Sequence, residues 1–164
     1  MTTTIPDDLT DRVSRLDDEH RVIEALLAFA EARDAHDLDA ALERCSDDVQ
    51  LVVDGPAARS FGGADGIEEL AEVWADDVRR VRFVMQFHSD VEVSLHDDRA
   101  VVSGTVIAPA TWAGVDGDEG RWLSGRLLAE LCRSLQGWMI TSLRYEPTMH
   151  TPYEAGWAVC RFAD

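Results

Sequence analysis

The sequence predicts an α+β fold, in which three N-terminal helices pack on a strongly curved antiparallel sheet. Two observations lead to this prediction. Apolar residues recur at helical spacing in the segments 16–34 and 67–78, and from Val81 onward the pattern changes to the period of two that is typical of strands. Helices that precede a run of strands indicate an α+β domain. The chain has 164 residues, 46% of them apolar, which fits a single domain at 7–164, with residues 1–6 disordered.

The first helix is expected to begin near Asp7 or Asp8 and to run to about Ala35. Acidic residues at its start are favoured by the helix dipole. Its expected inward stripe advances in steps of three or four residues and consists of Leu16, His20, Ile23, Leu27, Ala30 and Asp34. The stripe therefore ends in Asp34, and a carboxylate that points towards a core needs a partner or a function.

Two shorter helices and a strand are expected next. Asp37 or Asp39 can cap a second helix that reaches about Arg44, and the β-branched residues at 49–53 then predict a strand. Asp65 and Glu68 have the spacing of a capping box at the start of a third helix. The apolar residues that follow at helical spacing are Ile67, Leu70, Val73 or Trp74, and Val78.

Four strand-like runs, at residues 81–95, 99–112, 121–135 and 137–149, are separated by short turn sequences. They are expected to form an antiparallel meander. A strongly bent sheet that is closed by helices leaves a pocket, the usual site for a small apolar ligand. The acidic segment at 115–120 lacks the carboxylate spacing of an EF-hand, so a solvated hairpin turn is expected there.

The composition excludes several classes of function. The formal net charge of −17 argues against nucleic acid and membrane surfaces as partners, since both need a basic stripe. The sequence contains no lysine, which removes Schiff-base chemistry and the lysine of phosphate loops. The three cysteines, Cys45, Cys132 and Cys160, form no metal-binding spacing. We therefore expect no cofactor, no metal and no membrane segment, in a cytoplasmic protein.

Four segments together resemble the SnoaL-like branch of the nuclear transport factor 2-like superfamily. They are the helix end and following turn at 32–49, the GGADGIEEL segment at 62–70, the FHSDVEV strand at 87–93 and the last strand at 137–153. The resemblance implies a cone-shaped α+β barrel with a strongly curved mixed, mostly antiparallel sheet. It is nearest to the branch with scytalone dehydratase, bile acid 7-alpha-dehydratase and hexachlorocyclohexane dehydrochlorinase, which use an Asp–His dyad. The dyad positions here hold Asp34 and His88.

The resemblance also implies positions that contact substrate. Phe29 occupies the position where the dehydratase and the dehydrochlorinase carry a polar helper, and Leu51 aligns with a tryptophan of the dehydrochlorinase. Arg144 lies one residue out of register with an arginine in the last strand of that enzyme. Together with Trp74 and with His150 near the expected cone mouth, these residues are the candidates for substrate binding.

The dyad suits proton abstraction. A neutral imidazole with a pKa near 6.5 can accept a proton at neutral pH, and Asp34 bonded to one ring nitrogen would orient His88 and stabilise the imidazolium. Donors that could polarise the substrate are Arg144, Tyr145, Tyr153, His150 and Trp74. These groups predict a lyase or isomerase, like a dehydratase or dehydrohalogenase, that acts on a small hydrophobic, cyclic substrate.

Two points remain open at the level of the sequence. In a regular strand His88 would share the outer face with Gln86 and Asp90. An inward His88 therefore requires a bulge or bend near His88 and Ser89, or a concave face that is polar at this end. The alternative function is a non-catalytic binding or assembly module, like the small subunit of ring-hydroxylating dioxygenases, because fold alone does not decide function. For either function the resemblance implies a homodimer or homotrimer.

Overall fold

The computed structural model describes residues 7–54, 62–114 and 117–152, which form three helices and seven strands. The helices are α1 (Asp7–Asp34), α2 (Leu38–Leu42) and α3 (Ile67–Arg80). The strands are β1 (Cys45–Val53), β2 (Ala64–Asp65), β3 (Val81–Val84), β4 (Phe87–His96), β5 (Arg99–Gly114), β6 (Gly117–Ser134) and β7 (Gly137–Pro152). The predicted α+β class is confirmed. The disorder predicted for residues 1–6 lies outside the described residues.

All seven strands belong to one sheet, in the order β2, β1, β7, β6 and β5, with β3 and β4 both paired along the far side of β5. Strand β1 runs parallel to β7, and the other pairs are antiparallel, so the sheet is mixed as predicted. Strands β5 to β7 have 16, 18 and 16 residues. Strands of this length twist strongly, and the sheet curls into a half-barrel on which the three helices pack.

The inward face of α1 differs from the predicted stripe. The buried residues are Val22, Ala25, Leu26, Phe29 and Ala30, of which only Ala30 belongs to the predicted stripe, whereas Leu16 and Leu27 are 64% and 40% exposed. Residues 25–30 are all apolar, so the periodicity of this helix does not fix which side is buried, and packing against the sheet decides it. As a result Arg33, four residues after Phe29, continues the inward stripe, and Asp34 lies beside it.

The first of the four strand-like runs, at residues 81–95, forms two strands in the structure. Helix α3 passes into β3 without a loop, the chain leaves the sheet at Met85 and Gln86, and β4 begins at Phe87. The break coincides with a long-range contact, because the backbone N–H of Gln86 donates a hydrogen bond of 2.8 Å to Asp34 on α1 instead of to a neighbouring strand. The end of α1 thereby determines where β4 begins.

The observed starts of α2 and α3 agree only in part with the predicted capping residues. Asp37 caps α2, since its Oδ1 accepts a 3.1 Å hydrogen bond from the Ala40 N–H. Asp37 was one of the two residues predicted for this cap. The predicted capping box of Asp65 and Glu68 is wrong. Asp65 belongs to β2, and its N–H donates to the Glu69 carboxylate at 3.0 Å, so the bond is made one residue later than expected.

The core lies between the helices and the inner face of the sheet. Its largest fully buried side chains are Leu26, Leu70, Leu131, Ile140, Val22, Val49 and Val102. The other face of the sheet carries exposed apolar residues, among them Phe83, Phe87 and Ile107. The homodimer or homotrimer stays a prediction. None of the described helices is long and apolar enough to span a membrane.

Candidate functional site

A cavity of about 190 Å³ lies between helices α1 and α3 and the inner face of the sheet. Most of its wall is aliphatic, with side chains from β1, β5, β6 and β7, among them Leu51, Val106 and Leu127. The residues of its wall that can form hydrogen bonds through their side chains are Arg33, His36, Trp74, Asp77, Gln86, His88, Trp112 and Tyr145. The wall thus has the character of a site for a small apolar ligand with a few polar contacts.

His88 faces this cavity because β4 contains a bulge. The pairing of β4 with β5 is regular up to Ser89, which pairs with Thr105, and resumes with Glu92, which pairs with Ser103. Within the bulge Asp90 has a positive φ of 53°. The extra residue reverses the alternation of side chains, so that His88 and Val91 lie on the same face. The irregularity that an inward His88 requires is therefore present, one residue after the expected place.

Gly104 makes room for the bulge. It lies on β5 opposite the bulged residues, and a Cβ atom there would lie 3.1 Å from the carbonyl oxygen of Ser89. That separation is shorter than an unstrained contact between carbon and oxygen. A side chain at this position would press on the segment that orients His88.

The Nε2 atom of His88 is buried and has no hydrogen-bond partner among the described residues. Burial lowers the pKa of His88, and the nearby carboxylate of Asp34 acts in the opposite direction. A histidine whose pKa is lowered from 6.5 is neutral at pH 7. His88 therefore presents an uncharged, unpartnered ring nitrogen to an apolar cavity.

Asp34 binds Gln86 with both of its carboxylate oxygens. Oδ2 accepts the 2.8 Å bond from the Gln86 backbone N–H, and Oδ1 accepts a 3.0 Å bond from the Gln86 side-chain amide. No hydrogen bond joins Asp34 to His88 within the described ranges. The carboxylate is near enough to influence the titration of His88, and its attachment to Gln86 holds the end of α1 against the start of β4.

A second polar group at the cavity wall consists of Arg33, Trp74 and Asp77. The Arg33 guanidinium lies 4.4 Å from the centre of the Trp74 ring, and its Nη2 lies 3.5 Å from Oδ2 of Asp77. Burial lowers the pKa of Arg33 and raises the pKa of Asp77, and the attraction between the two charges opposes both shifts. Phe29 packs on Trp74 with the ring centres 5.3 Å apart.

Comparison with solved structures finds similar folds at low sequence identity. A proposed aromatic ring hydroxylase from Novosphingobium aromaticivorans DSM superposes with a TM-score of 0.74 at 19% identity, over 84% of this chain and 94% of that one. A proposed scytalone dehydratase from Novosphingobium aromaticivorans DSM 12444 gives 0.71 at 17% identity, over 83% and 88%. A hexachlorocyclohexane dehydrochlorinase from Novosphingobium barchaimii LL02 gives 0.70 at 16% identity, over 91% and 96%.

The chain has the fold of SnoaL-like proteins in the nuclear transport factor 2-like superfamily. The resemblance inferred from the sequence is confirmed at the level of the fold. No protein-family model and no curated protein sequence matches the chain. The structural neighbours share less than a quarter of their residues with it, so they establish the fold and leave the activity to be argued from the site.

Within this nuclear transport factor 2-like fold, three of the five predicted substrate-binding residues line the cavity. They are Phe29, Leu51 and Trp74. Arg144 does not, because Leu143 and Tyr145 face inward on β7 and the residue between them faces outward. Its side chain is 56% exposed and donates bonds of 2.6 and 3.2 Å to the carboxylate of Asp54. The structure therefore places Arg144 outside the wall of this cavity.

His150 lies outside the cavity wall as well. It pairs in register with Leu123, which lines the cavity, but the histidine is exposed and its Nε2 lies 3.2 Å from Nη1 of Arg121. Of the other predicted donors, Tyr145 lines the cavity, and burial raises the pKa of its hydroxyl. Tyr153 lies outside the described residues.

Several cavity residues were not predicted from the sequence. Arg33 and Asp77 could have been found from spacing, because Arg33 lies seven residues after Leu26, and Asp77 three residues after Trp74 on α3. Trp112 shares the inner face of β5 with Val106, Ala108 and Ala110, as strand alternation requires. His36 and Gln86 follow no period, since each lies where the chain leaves regular structure. Within the described residues no three side chains of His, Cys, Asp or Glu converge on a possible metal site.

Proposed function

We propose that the protein is a cofactor-independent lyase or isomerase in which His88 removes a proton from a small hydrophobic, cyclic substrate. The observation that carries the proposal is the Nε2 atom of His88, which is buried at the wall of the cavity and has no hydrogen-bond partner among the described residues. A buried polar atom without a partner is costly. A substrate that brings a proton to this atom would remove the cost.

The protonation state of His88 suits a general base. Burial lowers its pKa, so the ring is neutral and able to accept a proton at pH 7. In the proposed state Nδ1 carries the hydrogen and Nε2 offers its lone pair to the substrate. Proton transfer to Nε2 creates an imidazolium, and the nearby carboxylate of Asp34 stabilises that charge.

Asp34 can serve as the partner although Gln86 already binds it. An ionised carboxylate has about four lone-pair positions, of which Gln86 occupies two. One further acceptor position therefore remains on each oxygen. In the proposed reaction, Gln86 holds the carboxylate in place and His88 turns its Nδ1–H towards it as positive charge develops.

The walls favour a substrate without a formal charge. Side chains of Leu51, Val106 and Leu127 make the wall of the cavity apolar, and the low dielectric of apolar surroundings would strengthen the interaction between imidazolium and carboxylate. The solved neighbours include a dehydrochlorinase and a proposed scytalone dehydratase, which is compatible with a lyase.

A specific observation favours the second candidate, a non-catalytic ligand-binding or assembly module. Both oxygens of Asp34 are engaged by Gln86, and no hydrogen bond to His88 is present within the described ranges. In that case Asp34 is an anchor between α1 and β4, and His88 is only one of the polar groups that contact a carried ligand.

The two functions are separated by assaying the wild type, His88→Ala and Asp34→Asn for product formation with a panel of cyclic alcohols and cyclic halides. The proposed function predicts elimination of water or halide by the wild type and a loss of about 10²-fold or more in His88→Ala. His150→Ala is the matched control, because this exposed histidine lies outside the cavity wall, and it should keep full activity. Binding without turnover in the wild type would instead support the carrier.

A further inference from the structure

Arg33 is the only arginine or lysine among the residues that line the cavity in the described part of the chain. It extends from the last turn of α1 and continues the buried stripe of Leu26 and Phe29. Arginine is rarely placed beside an apolar cavity without a partner that uses its donors. The described contacts of Arg33 use few of them.

A guanidinium has five N–H donors that lie in one plane. Trp74 covers one face of that plane at 4.4 Å and leaves the edges open. The hydrogen bond of Arg33 to Asp77 is 3.5 Å long, at the outer limit for such bonds, and it occupies one nitrogen. Stacking on Trp74 orients the guanidinium, and Asp77 is its one side-chain hydrogen-bond partner among the described residues.

The charges around Arg33 select the kind of group it can bind. Asp77 lies beside the guanidinium at 3.5 Å, and Asp34 interacts with it electrostatically, so the negative charge of two carboxylates already acts on Arg33. A ligand carboxylate would meet repulsion from both. A neutral oxygen acceptor would receive hydrogen bonds from Arg33 without that repulsion, and its body would lie against the aliphatic wall.

We infer that Arg33 binds the carbonyl oxygen of a neutral ligand with an apolar body. An apolar cavity of about 150 Å³ accommodates benzene, so the cavity of about 190 Å³ admits a single ring with a small carbonyl substituent. The inference deepens the proposed function and rests on it where the reaction is concerned. A carbonyl group at Arg33 defines which proton His88 removes, namely one on the carbon beside the carbonyl.

The electron balance of that step is simple. The bond between carbon and hydrogen breaks, and the proton moves to Nε2 of His88. The released electron pair forms a double bond to the carbonyl carbon, and the π pair of the carbonyl moves to its oxygen. The negative charge that develops on this oxygen lies beside Arg33, so the hydrogen bonds strengthen as the reaction proceeds.

Binding can be tested with three probes of similar shape: acetophenone, isopropylbenzene and benzoate. Their affinities are measured by isothermal titration calorimetry and by quenching of tryptophan fluorescence, since Trp74 and Trp112 line the cavity. The inference predicts that acetophenone binds the wild type about tenfold more tightly than isopropylbenzene. A difference of about this size is expected from one hydrogen bond with a charged donor. Benzoate should bind more weakly than acetophenone.

Variants assign the preference to Arg33. Arg33→Met with Asp77→Asn removes both members of the buried pair, so no uncompensated charge remains to prevent folding. In this double variant acetophenone and isopropylbenzene should bind equally well. Asp77→Asn alone keeps Arg33 and should keep the preference. The matched control is Arg144→Met, which removes an exposed arginine that lies outside the cavity wall and should leave all three affinities unchanged.

The outcomes separate this inference from the proposed function. Equal affinities for acetophenone and isopropylbenzene in the wild type, or an unchanged preference in the double variant, would overturn the role of Arg33. Tighter binding of benzoate than of acetophenone would overturn the selection of a neutral oxygen. His88→Ala should retain the preference for acetophenone, because binding at Arg33 does not need the base. Loss of turnover in His88→Ala without any carbonyl preference in the wild type would leave the proposed function in place and refute this inference alone.

Discussion

Replacement of Asp34 by alanine should destabilise the fold by about 3 kcal/mol. The side chain accepts two hydrogen bonds from Gln86, of 2.8 and 3.0 Å, at a site that is partly buried. Hydrogen bonds to a charged group contribute about 1.5–3 kcal/mol each. Because the site is not fully buried, we use the lower value for each bond, and the sum gives the expected loss. For a chain of this size that loss corresponds to a decrease in Tm of roughly 6–12 °C.

Asp34→Asn is the matched control for this prediction. The Gln86 side-chain amide can turn over and accept from the amide that the substitution introduces, while the oxygen of that new amide still accepts from the Gln86 backbone. Both bonds then persist between neutral groups, which roughly halves their strength. The expected loss is therefore about 1.5 kcal/mol. A double-mutant cycle between Asp34→Ala and Gln86→Ala should give a coupling energy of about 1.5 kcal/mol, for the side-chain bond alone.

The assay is urea unfolding followed by tryptophan fluorescence, with the free energy of unfolding extrapolated to water. A loss below about 1 kcal/mol in Asp34→Ala, or the same loss in the alanine and asparagine variants, would refute the anchoring role of Asp34. Asp34→Asn also separates stability from catalysis. A folded Asp34→Asn variant that has lost activity supports a role of the charge beside His88.

Three further predictions follow from individual contacts. Because burial lowers the pKa of His88, NMR should show its ring titrating below pH 6.5. The free energy of unfolding should therefore decrease as the pH falls from 6.5 towards that lower pKa. The variant His88→Gln should remove this pH dependence. Gly104→Val should shift the NMR signals of His88 and cost about 1–3 kcal/mol, since a Cβ there already lies 3.1 Å from the carbonyl oxygen of Ser89. Burial raises the pKa of the Cys45 thiol to about 12, so iodoacetamide at pH 8 should modify it only after unfolding.

Each of these predictions has a clear contrary result. Stability decreases at lower pH because His88 of the unfolded chain binds its proton at a higher pH than His88 of the folded protein. A titration of His88 above pH 6.5 in the folded protein would contradict the effect of burial. Unchanged His88 signals in Gly104→Val would show that the glycine is not needed for the bulge. Alkylation of Cys45 in the native protein, detected by mass spectrometry, would contradict its burial.

The fold was accessible from the sequence because its strongest signals are periodic. The change from helical spacing to alternation at Val81 separates the helices from the sheet, and Asp37 lies at the start of α2 as a capping residue should. These signals depend on the local chain. They were sufficient for the order of the elements and for the antiparallel arrangement of the later strands.

The orientation of α1 was not accessible in the same way. Its six consecutive apolar residues at 25–30 allow more than one buried stripe, and only the packing of Leu26 and Phe29 against the sheet selects among them. Asp34 was therefore expected at the centre of the inward face, where Arg33 lies instead. The break between β3 and β4 depends on the same contact between distant residues, because Gln86 leaves the sheet to bind Asp34.

The candidate site was predicted in part. Phe29, Leu51 and Trp74 line the cavity, while Arg144 points away because its neighbours on β7 face inward. Only the bulge, which the local sequence does not specify, turns His88 to the inner face. The alternation of an ideal strand would have placed that histidine outside, and the resemblance to a known family was needed to expect it inside.

The proposed function depends most on whether His88 accepts a proton from carbon. The direct measurement is the exchange of carbon-bound hydrogen for deuterium in a panel of small cyclic ketones, followed by NMR in D₂O with the wild type and with His88→Ala. The proposal predicts enzyme-dependent exchange beside the carbonyl group in the wild type and a decrease of about 10²–10⁴-fold in the variant. Equal exchange rates in the two proteins, with both folded, would contradict it.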